Sequence, residues 1–383
     1  IGARDFLVAY NVNLNTTSTR RANAIAFDVR EAGRVKKEGN KTVTDANGKP
    51  VNIPGSLKSV KAIGWYIEEY GIAQISMNLT NIHITPVHIA FDEVCKKANE
   101  RGIRVTGSEL VGLIPLKAML DAGKYFLKKQ QRSTGVSEKE LVKIAVKSMG
   151  LNELTPFIPE ERIIEYLLED KAGSRLVNMT LSAFADETAS ESPAPGGGSI
   201  AAYIGSLGAA LATMVANLSS HKKGWDDRWE EFSNWAEKSE ACKNELLKLT
   251  DADTLAFNRI MIALGLPKTT EEEKSIRIKA IQDATLYAIE IPFKVMQTAY
   301  ASMETIKAMA EIGNPNSVSD AGVAALCARS AVMGAFMNVR INATGYNDKD
   351  FVADIILKGR DIENKTIGLE EEILKVVNEK IGV

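Results

Sequence analysis

Residues 196–220 read GGGSIAAYIGSLGAALATMVANLSS, and this stretch decides the fold of the second half of the chain. Its segment 200–218 carries no charged residue over 19 positions, which reaches the short end of a membrane-spanning helix. Alanine, glycine, serine and threonine supply much of the segment, so its insertion into a bilayer would gain little free energy. Such small residues suit a helix that packs closely against its neighbours. We therefore predict the central helix of a bundle and no membrane span.

Long helical patterns joined by short links follow the rest of this half. No convincing strand pattern occurs after residue 173, and we predict helices at 180–192, 199–220, 226–264, 271–312, 317–343 and 347–380. Pro292 is predicted to kink the fourth of these. Long helices with short links are typical of an antiparallel helical bundle.

The first part of the chain mixes strand and helix signals. We predict strands at 4–12, 57–68, 72–80 and 103–110, a helix from about 17 to 37, a loop over 40–55, and a second helix between Pro86 and Gly102. This order of elements is the ferredoxin-like βαββαβ arrangement. Residues 115–173 show only helical patterns and are predicted to be a connector. The expected class is α+β, with domains at 1–114, 115–173 and 174–383.

Composition excludes several classes of function. A chain of 383 residues is too long to fold around one small hydrophobic core. Its 47 basic and 49 acidic residues lack the basic surplus of a nucleic-acid-binding protein. Three cysteines and three histidines lie far apart, so we expect reduced thiols in a cytoplasmic protein, with no disulfide frame and no metal centre. The chain begins at Ile1 without an initiator methionine, and we expect a truncated or processed N-terminus. A small-molecule ligand is the favoured partner.

The run SPAPGGGS at 192–199 is the clearest local motif. Its glycines permit unusual backbone angles, and Ser199 could cap the helix that follows. Free backbone N–H groups at a helix start can bind anionic or carbonyl oxygens. A flexible linker is the alternative, although a linker need not open directly into a helix. The candidate ligand loop consists of Gly196, Gly197, Gly198 and Ser199.

Two aspartates lie inside the predicted helix 226–264. At 100° per residue, Asp253 falls on an apolar stripe, whereas Asp251 falls on the other side of the helix. The stripe is formed by Leu246, Leu249, Phe257, Ile260 and Leu264. A carboxyl group on an apolar stripe must be hydrogen-bonded or paired, or have a raised pKa, and such a pKa suits general acid–base catalysis. The alternative is a structural aspartate bonded across the bundle.

Further polar residues mark the helix 317–343 and the end of the helix 199–220. Asp320, Asn338 and Asn342 share one face with small residues, which would leave a slot for a flat heterocycle or for a close helix partner. Alternatively, the only role of Asp320 could be a favourable interaction of its negative charge with the positive end of the helix dipole. His221 and Lys222 end the earlier helix, where they could hold the carboxylates of a substrate or only interact with the dipole.

Three runs and the motifs above resemble the formimidoyltransferase-cyclodeaminase family over essentially the whole chain. The runs GARDFLVAYNVNL (2–14), QISMNLT (74–80) and GSELVGL (107–113) resemble the C-terminal subdomain of the transferase. The SPAPGGGS run, the Asp251/Asp253 motif and the Asp320 segment resemble the cyclodeaminase domain. The resemblance implies a lyase of histidine degradation that converts 5-formiminotetrahydrofolate to 5,10-methenyltetrahydrofolate and ammonia, without a metal. It also implies a homodimer or larger homo-oligomer with folate, possibly polyglutamylated, bound near the subunit interface.

The family's catalytic aspartate maps onto Asp251 or Asp253, and the stripe favours Asp253 as the proton shuttle. We expect Asp320 and Asn338 to orient the ring, and the 196–199 loop to contact pterin or carboxylate oxygens. The transferase of the family also needs an N-terminal subdomain with a catalytic histidine, which this chain is expected to lack, so formimidoyl transfer is expected only of the intact protein. The alternatives are a non-catalytic folate-binding or assembly fragment, and a related folate cyclohydrolase.

Overall fold

The computed structural model describes residues 6–39, 41–168 and 176–382. Contacts divide these residues into two compact units. The first unit contains the residues up to 130 together with 137–168, and the second contains 131–136 and 176–382. The chain is a mixed α and β protein in which one small antiparallel sheet accompanies many helices.

The first unit is built on a four-stranded sheet. Its elements are β1 (Val8–Leu14), α1 (Thr19–Val29), β2 (Arg34–Val35), β3 (Lys37–Glu38), β4 (Lys41–Thr42), β5 (Asn52–Ile53), β6 (Val60–Ile67), β7 (Ile72–Leu79), α2 (Val87–Asn99) and β8 (Val105–Val111). The main sheet has the order β6-β7-β1-β8, and its neighbouring strands are antiparallel. The short pairs β2–β5 and β3–β4 join two regions: β4 and β5 lie in the predicted loop 40–55, whereas β2 and β3 lie at the end of the stretch predicted to be helical.

Alternation of side chains explains the strands. Every second residue of β1, from Val8 to Leu14, is buried, as is every second residue of β7 from Ala73 to Leu79. Helix α1 covers this face through four buried apolar residues at helical spacing, namely Ala22, Ile25, Ala26 and Val29. The helix ends at Val29 and not near 37 as predicted, because the chain turns through Gly33 at positive φ into β2.

The predicted connector consists of α3 (Leu116–Lys129), α4 (Glu138–Met149), α5 (Pro159–Arg162) and α6 (Ile164–Leu168). Buried residues of α3 and α4 belong to the same hydrophobic core as the sheet, among them Met119, Ala122, Val142 and Met149. These helices therefore extend the core of the first unit. The predicted boundary at 173 and 174 lies outside the described residues.

The described part of the second unit contains helices and no strand. Its elements are α7 (Leu181–Thr188), α8 (Gly197–Ser220), α9 (Trp229–Leu264), α10 (Glu271–Ile312), α11 (Val318–Ala343) and α12 (Lys349–Ile381), with single 3-10 turns at Leu176–Asn178, Asp226–Arg228 and Pro315–Ser317. Pro292 lies inside α10, which continues through it. Helix α8 packs against α9, α10 and α11.

Small residues bring α8 and α11 into close contact. A Cβ atom on Gly208 would lie 2.9 Å from the carbonyl oxygen of Ala324, and one on Gly205 would lie 3.0 Å from the Cβ of Ala331. Residue numbers rise along α8 as they fall along α11 at these contacts, so the two helices run antiparallel. The slot predicted on α11 is thus filled by a helix partner along this length.

By length and apolar composition alone, α8 and the segment Pro315–Ala343 could each cross a membrane. In this structure 61% and 50% of their most apolar windows are buried within the chain. Apolar core helices of a bundle pass the same test, so the two helices are weak evidence for a membrane.

Candidate functional site

The start of α8 holds the carboxyl group of Asp253, which comes from the middle of α9. The hydroxyl of Ser199 donates a hydrogen bond to Oδ2 of Asp253 at 2.9 Å, and the backbone N–H of Ser199 also bonds this carboxylate. A Cβ atom on Gly198 would lie 2.1 Å from Oδ1 of Asp253. Glycine at 198 therefore lets the carboxylate reach the free N–H groups of the helix.

Two influences act in opposite directions on this carboxyl group. Burial raises the pKa of Asp253, and the hydrogen bonds from the side chain and backbone of Ser199 lower it, with burial the stronger influence. The positive end of the α8 dipole also favours the anion. The pKa of Asp253 lies above the usual aspartate range, which brings the carboxyl group closer to proton transfer near neutral pH.

Ser199 does not cap α8 as predicted. The helix begins at Gly197 with Gly196 before it, so Ser199 lies in the first turn. Its hydroxyl is buried and points across to α9, where the carboxyl group of Asp253 accepts its hydrogen bond. The predicted loop 196–199 is a helix start that holds a carboxylate of the same chain.

Asn338 lies beside the same helix start. Its Nδ2 would be 3.5 Å from a Cβ atom on Gly197, and it donates to the carbonyl of Gly334 at 2.9 Å. Gly197, Ser199, Asp253 and Asn338 thus form one cluster, which we call the α8 N-terminal site.

Sequence reasoning missed two features next to this site. The hydroxyl of Thr254 lies 3.4 Å from that of Ser199. The rings of Phe184 on α7 and Tyr203 on α8 lie 5.2 Å apart, with Tyr203 one turn beyond Ser199. Tyr203 follows Ser199 by four residues and shares its helix face, a spacing that could have indicated it. No comparable signal pointed to Phe184, because its contact is with another helix.

Asp251 has a different environment from Asp253. Its Oδ1 accepts a hydrogen bond at 2.8 Å from the backbone N–H of Leu176, at the start of a 3-10 turn. This contact anchors the segment before α7 to α9, which is a structural task.

The apolar stripe around Asp253 is buried only along its first half. Leu246 and Leu249 are buried, whereas Phe257 is 36% and Leu264 is 45% exposed. The stripe thus correctly places Asp253 at the border between the core and an open part of the helix, but it is not buried throughout.

The structure does not bring the other predicted site residues to this cluster. Asp320 lies in the first turn of α11, 18 residues before Asn338, which is about 27 Å along a helix. His221 and Lys222 follow the last residue of α8, roughly 33 Å from Ser199 along the helix. The expectation that Asp320 and Asn338 hold one ring is therefore wrong for a single chain.

Two of these side chains also have local partners, and the third has a lowered pKa. Asn342 donates to the carbonyl of Ala288 at 2.7 Å and ties α11 to α10. The ammonium of Lys222 lies 4.0 Å above the ring of Trp225. Partial burial, and secondly the charge of Arg132, lower the pKa of His221, so this imidazole is a poor cation near neutral pH. Within the described residues, no group of three or more histidine, cysteine, aspartate or glutamate side chains could hold a metal.

Comparison with known proteins identifies both parts of the chain. Residues 180–358 match the family model described as formiminotransferase-cyclodeaminase, and residues 9–169 match the formiminotransferase domain. A formimidoyltransferase-cyclodeaminase of Gallus gallus is 40% identical over 354 residues, covering 91% of this chain and 62% of that protein. One of Dictyostelium discoideum is 34% identical over 381 residues, covering 99% of this chain and 67% of that protein.

A shorter relative matches about half of the chain. A methenyltetrahydrofolate cyclohydrolase of Methylorubrum extorquens is 36% identical over 205 residues, covering 54% of this chain and 99% of that protein. The chain spans 62% of the length of the vertebrate relatives. Two family models and relatives that match nearly its whole length lead to one conclusion: the chain belongs to the formimidoyltransferase-cyclodeaminase family.

Proposed function

We propose that this chain catalyses the cyclodeaminase reaction, from 5-formiminotetrahydrofolate to 5,10-methenyltetrahydrofolate and ammonia. The observation that carries the proposal is the carboxyl group of Asp253, half-buried, bonded to Ser199 and held at the start of α8. Family membership supports tetrahydrofolate as the carrier of the one-carbon group and supports a role in histidine and one-carbon metabolism. We expect it to take place in the cytoplasm.

The reaction needs one proton to be moved between two nitrogens. N10 of the folate attacks the carbon of the protonated formimino group on N5, which gives an aminal with a neutral amino group, and the N10 proton passes to the carboxylate of Asp253. The carboxyl group returns this proton to the amino group of the ring-closed aminal, whose C–N bond then breaks and releases ammonia. The electron pair of N5 forms the C=N bond of the methenyl cation. A carboxyl group with a raised pKa can both accept and return the proton.

The neighbouring groups hold the acid and the ring. The hydroxyl of Ser199 fixes Oδ2 of Asp253 and so orients the carboxyl group for proton transfer. The negative charge of the carboxylate stabilises the developing cation electrostatically. We propose that the pterin ring or its carbonyl oxygen is contacted by the amide of Asn338 and by the backbone N–H groups of residues 196–198.

Helices α8 and α11 offer a surface that could form the interface of the predicted homodimer. Both helices expose large apolar side chains along one side, and we call these residues the α8–α11 face: Leu207, Met214, Leu218, Val323, Leu326, Met337 and Ile341. An exposed apolar surface of this kind is typical of an interface. We propose that a second copy covers it, related by a two-fold axis near the middle of the helices.

Such a dimer would bring the predicted site residues that lie far from Asp253 in one chain close to Asp253 of the other chain. Because α8 and α11 each span the face from end to end, a two-fold axis brings the first turn of one α11 towards the last turns of the other. Asp320, His221 and Lys222 of one copy would then approach the α8 N-terminal site of the second copy. Their predicted contacts with substrate are assigned to this arrangement.

The first unit supports a role in formimidoyl transfer. Its strand–helix–strand–strand–helix–strand order and its match to the formiminotransferase domain support a ferredoxin-like subdomain of the transferase. We propose transfer from formiminoglutamate to tetrahydrofolate for the whole protein, of whose vertebrate relatives the chain spans 62%.

Hydrolysis of the methenyl compound is the second candidate function, favoured by the match to a named cyclohydrolase over 99% of that protein. A non-catalytic folate-binding or assembly role is the third. All three can be distinguished by adding 5-formiminotetrahydrofolate to the purified chain and following near-ultraviolet absorbance together with ammonia.

Equal amounts of methenyl product and ammonia are the result expected for a cyclodeaminase. Consumption of added methenyltetrahydrofolate without ammonia would favour the cyclohydrolase. Folate binding without any product would favour the non-catalytic role, and either result would refute the proposal.

A further inference from the structure

A buried histidine of the first unit takes no part in the proposed reaction. His88 lies in the first turn of α2 and is only 7% exposed. Its ring lies 4.7 Å from the ring of Tyr125 on α3, with an angle of 34° between the two planes. The imidazole of His88 therefore belongs to the packing between α2 and α3.

The Nδ1 atom of His88 is buried and has no hydrogen-bond partner among the described residues. A neutral imidazole can place its unprotonated nitrogen here, whereas the imidazolium ion carries a proton on both ring nitrogens. Protonation would thus create a buried N–H group without an acceptor, which is unfavourable because the group loses its hydrogen bond to water.

The position of His88 in its own helix also opposes a positive charge. It is the second residue of α2, at the positive end of the helix dipole, and Pro86 at the N-cap provides no side-chain acceptor there. Two turns later on α2, burial and the charge of Asp92 raise the pKa of the Cys95 thiol to about 11. This thiol is therefore neutral near pH 7 and brings no negative charge that could compensate an imidazolium ion.

Two carboxylates act on the imidazole, and each of them already has a cation as its partner. Asp92 accepts hydrogen bonds from the hydroxyl of Tyr125 at 2.5 Å and from the ammonium of Lys129 at 2.6 Å. Asp121 on α3 forms a salt bridge of 2.8 Å with Lys117. Because both negative charges are largely balanced in this way, they compensate a charge on the imidazole only in part.

Three further elements pack against α2, namely α1, β1 and β8. On β1 the titratable group is Tyr10, a buried phenol whose pKa is raised by burial. Arg21 and Asp28 of α1 contact Arg101 beyond the end of α2, which is 13 residues or roughly 20 Å from the imidazole. Glu109 of β8 bonds amide groups on the face of the sheet away from the helices. These groups leave the imidazole without a further anionic partner among the described residues.

We propose that His88 is an acid-sensitive switch in the contact between α2 and α3: the neutral imidazole keeps the two helices packed, and its protonation loosens them. Burial lowers the pKa of His88, and the charges of Asp121 and Asp92 raise it by less. The unfolded segment binds this proton near the ordinary histidine pKa of about 6.5. The stability of the contact is therefore fully present above this pH and is lost as the pH falls below it. The switch lies in the first unit and does not depend on the proposed function.

Hydrogen exchange of the full chain, followed by mass spectrometry at about pH 7.5 and about pH 5.0, tests the switch when rates are scaled to those of unstructured peptides. In the wild-type chain we expect the protection of α2 and α3 to fall about tenfold or more between the two pH values. His88→Gln and His88→Phe have no titratable ring and should keep their protection at the lower pH. His83→Gln is the matched control, because His83 is exposed, and it should lose protection as the wild type does. Circular dichroism at the higher pH checks that each variant is folded.

Equal protection of α2 and α3 at both pH values in the wild-type chain would overturn the inference. A loss of protection as large as that of the wild type in a folded His88 variant would also overturn it, because the acid effect would then come from other groups. The phenylalanine variant keeps an aromatic ring against Tyr125, so it decides the outcome if the glutamine variant packs poorly.

Discussion

At the scale of single residues, the proposed mechanism depends on the carboxyl group of Asp253, on whose pKa burial and hydrogen bonding act in opposite directions. Burial disfavours its charged form and raises the pKa. The two hydrogen bonds from Ser199 favour the charged form and lower the pKa, so a small side chain 54 positions away helps to set the pH range in which the carboxylate is ionised.

Ser199→Ala is expected to raise the pKa of Asp253 further, because it removes a donor to the charged form. Activity that depends on the ionised carboxylate is lost as the pH falls through this pKa. The acidic limb of the kcat profile should therefore move to higher pH, which stopped-flow absorbance in a series of buffers can measure. A limb that stays in place or moves to lower pH contradicts the assignment.

Gly198→Ala should displace the carboxylate of Asp253, since the added Cβ would lie 2.1 Å from its Oδ1. We expect kcat to fall about tenfold or more and stability to fall by about 1–3 kcal/mol. The matched control is Gly368→Ala on α12, where a Cβ meets nothing within 4 Å and helix propensity predicts up to about 1 kcal/mol of stabilisation. Urea unfolding and turnover of both variants provide the comparison; equal behaviour would refute the close approach.

At the scale of elements, the contact between α8 and α11 depends on glycine and alanine where the two helices meet. Gly208→Val should clash with the backbone of Ala324 and lower stability by about 1–3 kcal/mol, measured by urea unfolding. Gly334→Ala is the milder companion, because its Cβ would lie 3.3 Å from that of Ala201. If valine at 208 is no more damaging than alanine at 334, the helices are not in the contact described.

The helices were predictable because hydrophobic periodicity and caps are local signals. The limits predicted for 271–312 agree with α10 to the residue, and those for 317–343 differ from α11 by one. The stripe likewise indicated Asp253. The bond from Ser199 could not be predicted, since it joins two helices. The separation of Asp320 from Asn338 could have been calculated, because 18 residues of one helix span about 27 Å even when both residues share a face.

At the scale of the whole molecule, the α8–α11 face explains why the two most apolar helices are only partly buried within one chain. If a second copy covers this face, Leu207→Glu should yield a monomer with an intact fold and reduced turnover. Leu357→Glu on α12, at a leucine that is 71% exposed, should keep the wild-type mass. Light scattering after size-exclusion chromatography measures both, and an unchanged mass for the Leu207 variant rules out this interface.

Single-turnover kinetics of Asp253→Asn and Asp251→Asn on 5-formiminotetrahydrofolate would show most directly whether a buried acid moves the proton. We predict that the Asp253 variant folds, binds folate and loses at least about a hundredfold in the rate of methenyl formation, because asparagine cannot accept and return a proton. The Asp251 variant should keep most of the rate, since its carboxylate anchors the backbone of Leu176. Wild-type turnover by the Asp253 variant would contradict the mechanism.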